Sequence, residues 1–194
     1  MTVRKLVGLA AACALLCAAA CSTSGEAPKA YRRGDSGPNP VPEKGPWKES
    51  DVSPPPYPRD ADLIPFEPTG QTSNRFYIDG SSLAIGPDRV IRFSLVIQSP
   101  EGARTVSYSA VRCEAAEWKD YAYGREGRRW ELNPDPRWRK ITEQRINNYQ
   151  HTLAAEFFCF GGLFGGGPVG DAETILHSLK YPSSPDPRVP GRRY

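Results

Sequence analysis

The period of the hydrophobic positions changes along this chain, and each change marks an element. Residues 75–79 alternate Phe76 and Ile78 with polar neighbours, which predicts a strand that ends in a turn at Gly80-Ser81-Ser82. The clearest strand covers residues 90–98. Ile91, Phe93, Leu95 and Ile97 fall on one face for the core, and Arg92, Ser94 and Gln98 fall on a mostly polar face. A turn at Ser99-Pro100-Glu101-Gly102 leads into a return strand over 105–112, with Val106, Tyr108 and Ala110 on one side. A second hairpin pairs residues 116–123 with 128–132 across Gly124-Arg125-Glu126-Gly127. The period then becomes helical: Ile146, Tyr149, Leu153 and Phe157 recur every three or four residues, predicting an amphipathic helix over 142–159. A Gly-rich segment over 161–170 reads as a helix stop and connector, with Leu163 and Phe164 as a small exposed patch, before a short helix over 171–180.

A sheet with one face to bury and a helix with one stripe to bury predict an α+β domain. The expected architecture is an antiparallel sheet of about four to six strands covered by a C-terminal amphipathic helix and held by one disulfide. The domain is expected over residues 47–181, with 182–194 a disordered tail. Pro54-Pro55-Pro56-Tyr57-Pro58 has extended character, yet Trp47 and the cluster Leu63-Ile64-Pro65-Phe66 predict that this stretch lies against the domain.

The N-terminus follows export grammar: Arg4 and Lys5 precede a short apolar run that ends in small residues, too short to span a bilayer. Residues 1–20 read as a signal peptide and Cys21, after Ala20, as the lipidation point, although Ala18 stands where such signals usually carry Leu. The alternative is an ordinary secretory signal cut after Ala20. Residues 21–46 are Gly, Pro, Ser and charge, a disordered tether whose reach as a coil is roughly 25–30 Å. Ser22 after the cysteine favours the outer membrane of a Gram-negative cell, facing either the periplasm or the exterior.

Export changes the charge. The chain has 25 Lys and Arg against 22 Asp and Glu, and removing Arg4 and Lys5 leaves 23 against 22. A near-neutral mature chain gives no electrostatic reason for a nucleic-acid partner. Of five cysteines, Cys13 and Cys17 leave with the signal and Cys21 carries lipid, so Cys113 and Cys159 are expected to pair in an oxidising compartment. The loop between them is about 45 residues, worth roughly 4 kcal/mol in chain entropy. A redox or metal pair is the alternative, without a Cys-x-x-Cys to support it.

No convergent catalytic set is visible, and no cofactor or metal is expected. The Gly-rich segment lacks Gly-Lys-Ser/Thr, no His-Glu-x-x-His occurs, and His151 and His177 lie on the predicted helices. Asp79 and Glu114 would act as an acid–base pair if their strands brought them together, which keeps a hydrolase of an envelope polymer as the alternative function. The surface with most chemistry is Arg128, Arg129, Trp130, Trp138 and Arg139, with Arg125, Arg137, Lys140, Arg145, Tyr121 and Tyr123 nearby. Guanidinium groups beside aromatic rings suit an anionic glycan, lipopolysaccharide or an envelope protein. The competing reading is a solvated hairpin whose aromatics close the core.

The string Asn74-Arg75-Phe76-Tyr77-Ile78-Asp79-Gly80-Ser81-Ser82-Leu83 resembles the cryptic neisserial protein 1-like family of exported proteobacterial proteins. Val90-Ile91-Arg92-Phe93-Ser94-Leu95-Val96, Val106-Ser107-Tyr108, Val111-Arg112-Cys113, Tyr121-Ala122-Tyr123-Gly124, Trp138-Arg139, Phe157-Phe158-Cys159 and Asp171-Ala172-Glu173 follow in the same order. The resemblance implies an exported domain and no particular activity. A looser likeness in element order is to the surface-adhesin protein E lipoproteins. The combined expectation is an envelope lipoprotein, anchored to the membrane by its N-terminal lipid, that acts as a binding or structural module with no small-molecule substrate.

Overall fold

The computed structural model describes residues 46–163 and 166–182. The expected signal peptide, the Cys21 lipidation point, the tether up to residue 45 and the tail from residue 183 lie outside the described residues. Six antiparallel strands run as a meander in chain order: β1 (Leu63–Phe66), β2 (Arg75–Ile85), β3 (Ile91–Gln98), β4 (Arg104–Arg112), β5 (Glu117–Arg125) and β6 (Arg129–Leu132). A two-residue β7 (Arg139–Lys140) pairs with the start of β5, on the same edge whose far end β6 occupies, and makes a seventh. The expected α+β class, antiparallel sheet and helical cover are all present. The apolar cluster before residue 67 contributes the edge strand β1.

One sheet face carries the core. Ile91, Phe93 and Leu95 point to it as the alternation dictates, and Phe93 meets Trp118 and Phe158 edge-on, with centroids 5.4 and 5.0 Å apart. The helical layer over this face has three parts: α1 (Tyr149–Thr152), a π-helical continuation over Leu153–Phe158, and α2 (Ala172–Lys180). Asp171 caps α2, its carboxylate accepting from the Thr174 N–H at 2.8 Å.

The long helix expected over 142–159 is shorter than its apolar stripe. Asn147 has φ of 51°, a left-handed conformation that stops a right-handed helix, and Ile146 is 61% exposed and bridges Gln71 instead of joining the stripe. The chain becomes helical only from Tyr149. It then widens into a π turn, in which the Cys159 N–H donates to Ala154 O, five residues back. Cys159 leaves that turn extended, joined to Cys113 by the expected disulfide and bridged to Pro168. Residues 167–169 therefore lie against the helix end, with Phe160 N–H donating to Gly167 O and Val169 N–H to Phe158 O. Leu163 packs partly buried against the core, contrary to its expected exposure, while Phe164 lies outside the described residues.

Gly80-Ser81-Ser82 is a second departure: it is no turn but the irregular middle of β2, where the register with β3 shifts between Asp79 and Ala84. The Asp79 carboxylate accepts from the Ser81 N–H and hydroxyl, and Ser82 Oγ takes the Ser94 N–H at 2.8 Å. Side chains thus replace the ladder bonds that the irregularity removes.

The opposite sheet face, expected to be mostly polar, is also buried: Arg92 is 4% exposed and Ser94 fully enclosed. Residues 46–58 cross it as an extended strap. Trp47 packs edge-on against Trp138 at 6.0 Å, and Tyr57 packs tilted against Trp130 at 5.1 Å. The Trp130 indole donates to Pro55 O at 2.7 Å and Arg128 to Pro58 O at 2.6 Å. Gly124 is required here, because a Cβ on it would meet the Tyr57 hydroxyl and come within 2.8 Å of Val106 Cβ. The Pro-rich stretch packs against the domain as expected, and its prolines need no ladder partner.

Candidate functional site

Two polar constellations flank the sheet. Under the strap, Arg92 and Asp88 form a bidentate pair at 3.0 and 2.6 Å with side chains only 5% and 2% exposed. Asp88 also accepts from the Ser50 N–H, and its carbonyl accepts from the Trp47 indole. Burial opposes its ionisation, yet the Arg92 and Ser50 hydrogen bonds prevail and hold its pKa down to about 2. Beside it, Glu49 accepts from Tyr121, Lys119 and Trp138. Burial opposes this carboxylate's charge as well, and the three donors bring its pKa below the usual value. Burial and Glu49 together push the Tyr121 hydroxyl pKa up, so the phenol remains a donor. Every charge in this network has a partner in the strap or the sheet, so the network holds the fold.

The other constellation lies on the helix-facing side of β5 and has uncommitted groups. The register places Ser109 opposite Asp120 and Ser107 opposite Tyr123, with a bulge at Tyr121 between them. Residues three apart in a regular strand point to opposite faces, and the extra bulge residue brings Asp120 and Tyr123 to the same one. Asp120 Oδ1 is fixed by Ser109 Oγ at 2.6 Å and the Trp118 indole at 2.8 Å, and Oδ2 has no hydrogen bond among the described residues. β7 sets Arg139 directly opposite Trp118. With Asn133, Gln144 and Gln150 these groups line a polar cleft of about 240 Å³.

Charge commitments within the cleft are unequal. Arg137 is held by Asp135, Lys140 by Glu117 and the Ala115 carbonyl, and Lys119 by Glu49. Arg139 has no ion pair among the described residues. Burial pushes the Tyr123 pKa up, with Asp120 adding to the effect and Arg139 opposing it. The cleft thus offers one free guanidinium, one free carboxylate oxygen, a protonated phenol and side-chain amides.

The five-residue patch expected from sequence is divided between the two faces. Arg128, Trp130 and Trp138 secure the strap, and Arg129 is exposed at the hairpin, its guanidinium donating to the Glu126 carbonyl at 3.4 Å. Arg139, one residue from Trp138, points to the opposite face and lines the cleft. Asp79 and Glu114 take separate partners: Asp79 is buried on Ser81, whereas Glu114 pairs at the surface with Arg89 at 2.7 Å. Tyr123, read from sequence as a neighbour of the patch, lines the cleft, and Asp120 joins it as a site residue that the sequence reading does not contain. The one signal for Asp120 in sequence is its place two residues after Trp118 on the same strand.

A larger open groove of about 650 Å³ lies between β1 and α2, lined by Leu63, Ile64, Gly80, Leu176 and Tyr181. Its strand edge is closed to strand addition, since the Leu63 N–H donates to Asp60 O and Pro65 has no N–H. The cleft is therefore the better candidate despite its smaller volume. Among the described residues no group of three His, Cys, Asp or Glu could hold a metal ion, and no helix is long and apolar enough to cross a membrane.

No curated protein and no solved structure shows a significant match to this chain. A family model matches residues 42–180, well over half of the chain and the whole of the strap, sheet and helical layer, so the chain belongs to the CNP1-like family, the cryptic neisserial protein 1-like family.

Proposed function

We propose that this chain is a lipid-anchored protein of the Gram-negative cell envelope, held at the outer membrane through Cys21, whose domain binds an anionic envelope glycan without catalysis. The observation that carries the binding reading is the cleft, where Arg139 presents an unpaired guanidinium beside polar groups that the fold already holds in place. The separate commitments of Asp79 and Glu114 support binding over hydrolysis, because an acid–base pair must share one substrate position. The near-neutral mature chain supports a local cationic site over a broad nucleic-acid surface.

Capture of purified lipopolysaccharide and peptidoglycan fragments on the immobilised domain tests this reading. One of the two is retained by the wild type, and the Arg137→Ser/Arg139→Ser double variant binds it about tenfold or more weakly, the loss expected for charge-assisted contacts. Arg129→Ser, on the hairpin, leaves binding unchanged. Equal retention by the folded double variant contradicts the site. For the anchor, palmitate labels the wild type and not Cys21→Ala, and globomycin blocks processing. An unlabelled, normally processed wild type removes the lipid from the account.

A further inference from the structure

We infer that the cleft recognises a single sugar-acid ring, with its carboxylate on Arg139 and its hydroxyls on Asp120, Tyr123 and the neighbouring amides. This rests on the binding reading above and names the chemical class of the ligand.

Several features of the site lead to this class. Arg139 faces Trp118, and Asp120 is the next same-face residue along β5, a diagonal separation of about 7 Å between backbones. A ligand must therefore present an anion and a hydrogen-bond donor on opposite sides of one small body. A bare phosphate meets Arg139, but it concentrates its negative charge on one small body that the Asp120 carboxylate repels, and it has no ring to carry hydroxyls to Tyr123 and Gln150. An amino acid such as alanine carries both charges on one carbon and has no hydroxyls to offer Tyr123 and Gln150. A pyranose ring with a carboxylate separates the acid from its distal hydroxyls by the width of the ring, and those hydroxyls both donate and accept, as Asp120, Tyr123 and Gln150 require.

The size of the cleft agrees. At about 240 Å³ it falls below the roughly 300 Å³ at which drug-sized sites begin, and so suits one ring with any further chain outside. Ser109 and the Trp118 indole fix Asp120 Oδ1 in advance, so that orienting the carboxylate costs the ligand little.

Ligand-detected NMR titration of the disulfide-bonded domain with glucuronic acid, glucose, alanine and inorganic phosphate tests the assignment. Glucuronic acid binds, and glucose binds at least about tenfold more weakly. Arg139→Ser brings the two sugars to equal affinity, while Asp120→Asn and Tyr123→Phe weaken the binding of both. Asn retains the Oδ1 that accepts from Ser109 and Trp118, and an unchanged amide spectrum shows that each variant is folded. The assignment is overturned if phosphate or alanine competes as well as glucuronic acid, or if Asp120→Asn leaves or strengthens its binding. If glucuronic acid fails to bind but polymer capture remains Arg137- and Arg139-dependent, the sugar-acid class falls and the binding module stands. Loss of both removes both.

Discussion

Replacing Cys113 and Cys159 together by alanine lowers the thermal midpoint by on the order of 10–20 °C. The bond joins positions 46 residues apart, and closing a loop of that length removes about 4 kcal/mol of chain entropy from the unfolded state. Both half-cystines are buried, at 1% and 2% exposure, so truncation also leaves a small cavity. Position in the fold adds to the effect, because Cys113 follows directly on β4 while Cys159 closes the π turn that covers Phe93. Calorimetry of the oxidised wild type against the double variant measures the difference. A fall of less than about 3 °C would show that packing alone secures the helical layer.

Asp88→Ala costs about 3–5 kcal/mol, since it leaves the Arg92 guanidinium buried under the strap with Tyr121 as its remaining hydrogen-bond partner among the described residues. Truncating the partner as well, in Asp88→Ala/Arg92→Met, recovers much of that loss, because the uncompensated charge goes with it. Urea unfolding of the two variants separates these cases, and an equal or larger loss in the double variant contradicts the charge argument. The same pair sets a pH dependence. Asp88 has a folded-state pKa of about 2 against an ordinary 3.8, so its contribution is fully present above the ordinary value and is lost as pH falls toward 2. That window carries on the order of 2 kcal/mol, and Glu49, also lowered, shifts stability in the same direction. Asp88→Asn should flatten the acid limb of the stability curve.

Much of the fold was legible because local alternation decides it: Ile91, Phe93 and Leu95 could face only one way once residues 90–98 formed a strand. Structure and local pattern part where a distant segment or a backbone exception decides the outcome. Arg92 and Ser94 read as a mostly polar face, and no local pattern shows that residues 46–58 return to cover it. Ile146 has the spacing of a helical stripe, yet the left-handed Asn147 beside it ends the pattern. The Asp79 side chain turned an apparent Gly-Ser-Ser turn into a strand irregularity.

For the candidate site the lesson is similar. Trp138 and Arg139 are adjacent, and period two alone sends them to opposite faces, so their division between strap and cleft was readable in principle. Asp120 and Tyr123 were not, because three-residue spacing puts them on opposite faces until the bulge at Tyr121 is known.

Chemical-shift mapping of the ¹⁵N-labelled domain during titration with the captured envelope glycan locates the binding surface most directly. Binding in the cleft predicts shifts at the Trp118 indole and at the amides of Tyr123, Arg139 and Gln150, with the Trp130 indole and the strap unchanged. Shifts confined to Arg128, Arg129, Trp130 and the strap would contradict the cleft and return the site to the hairpin.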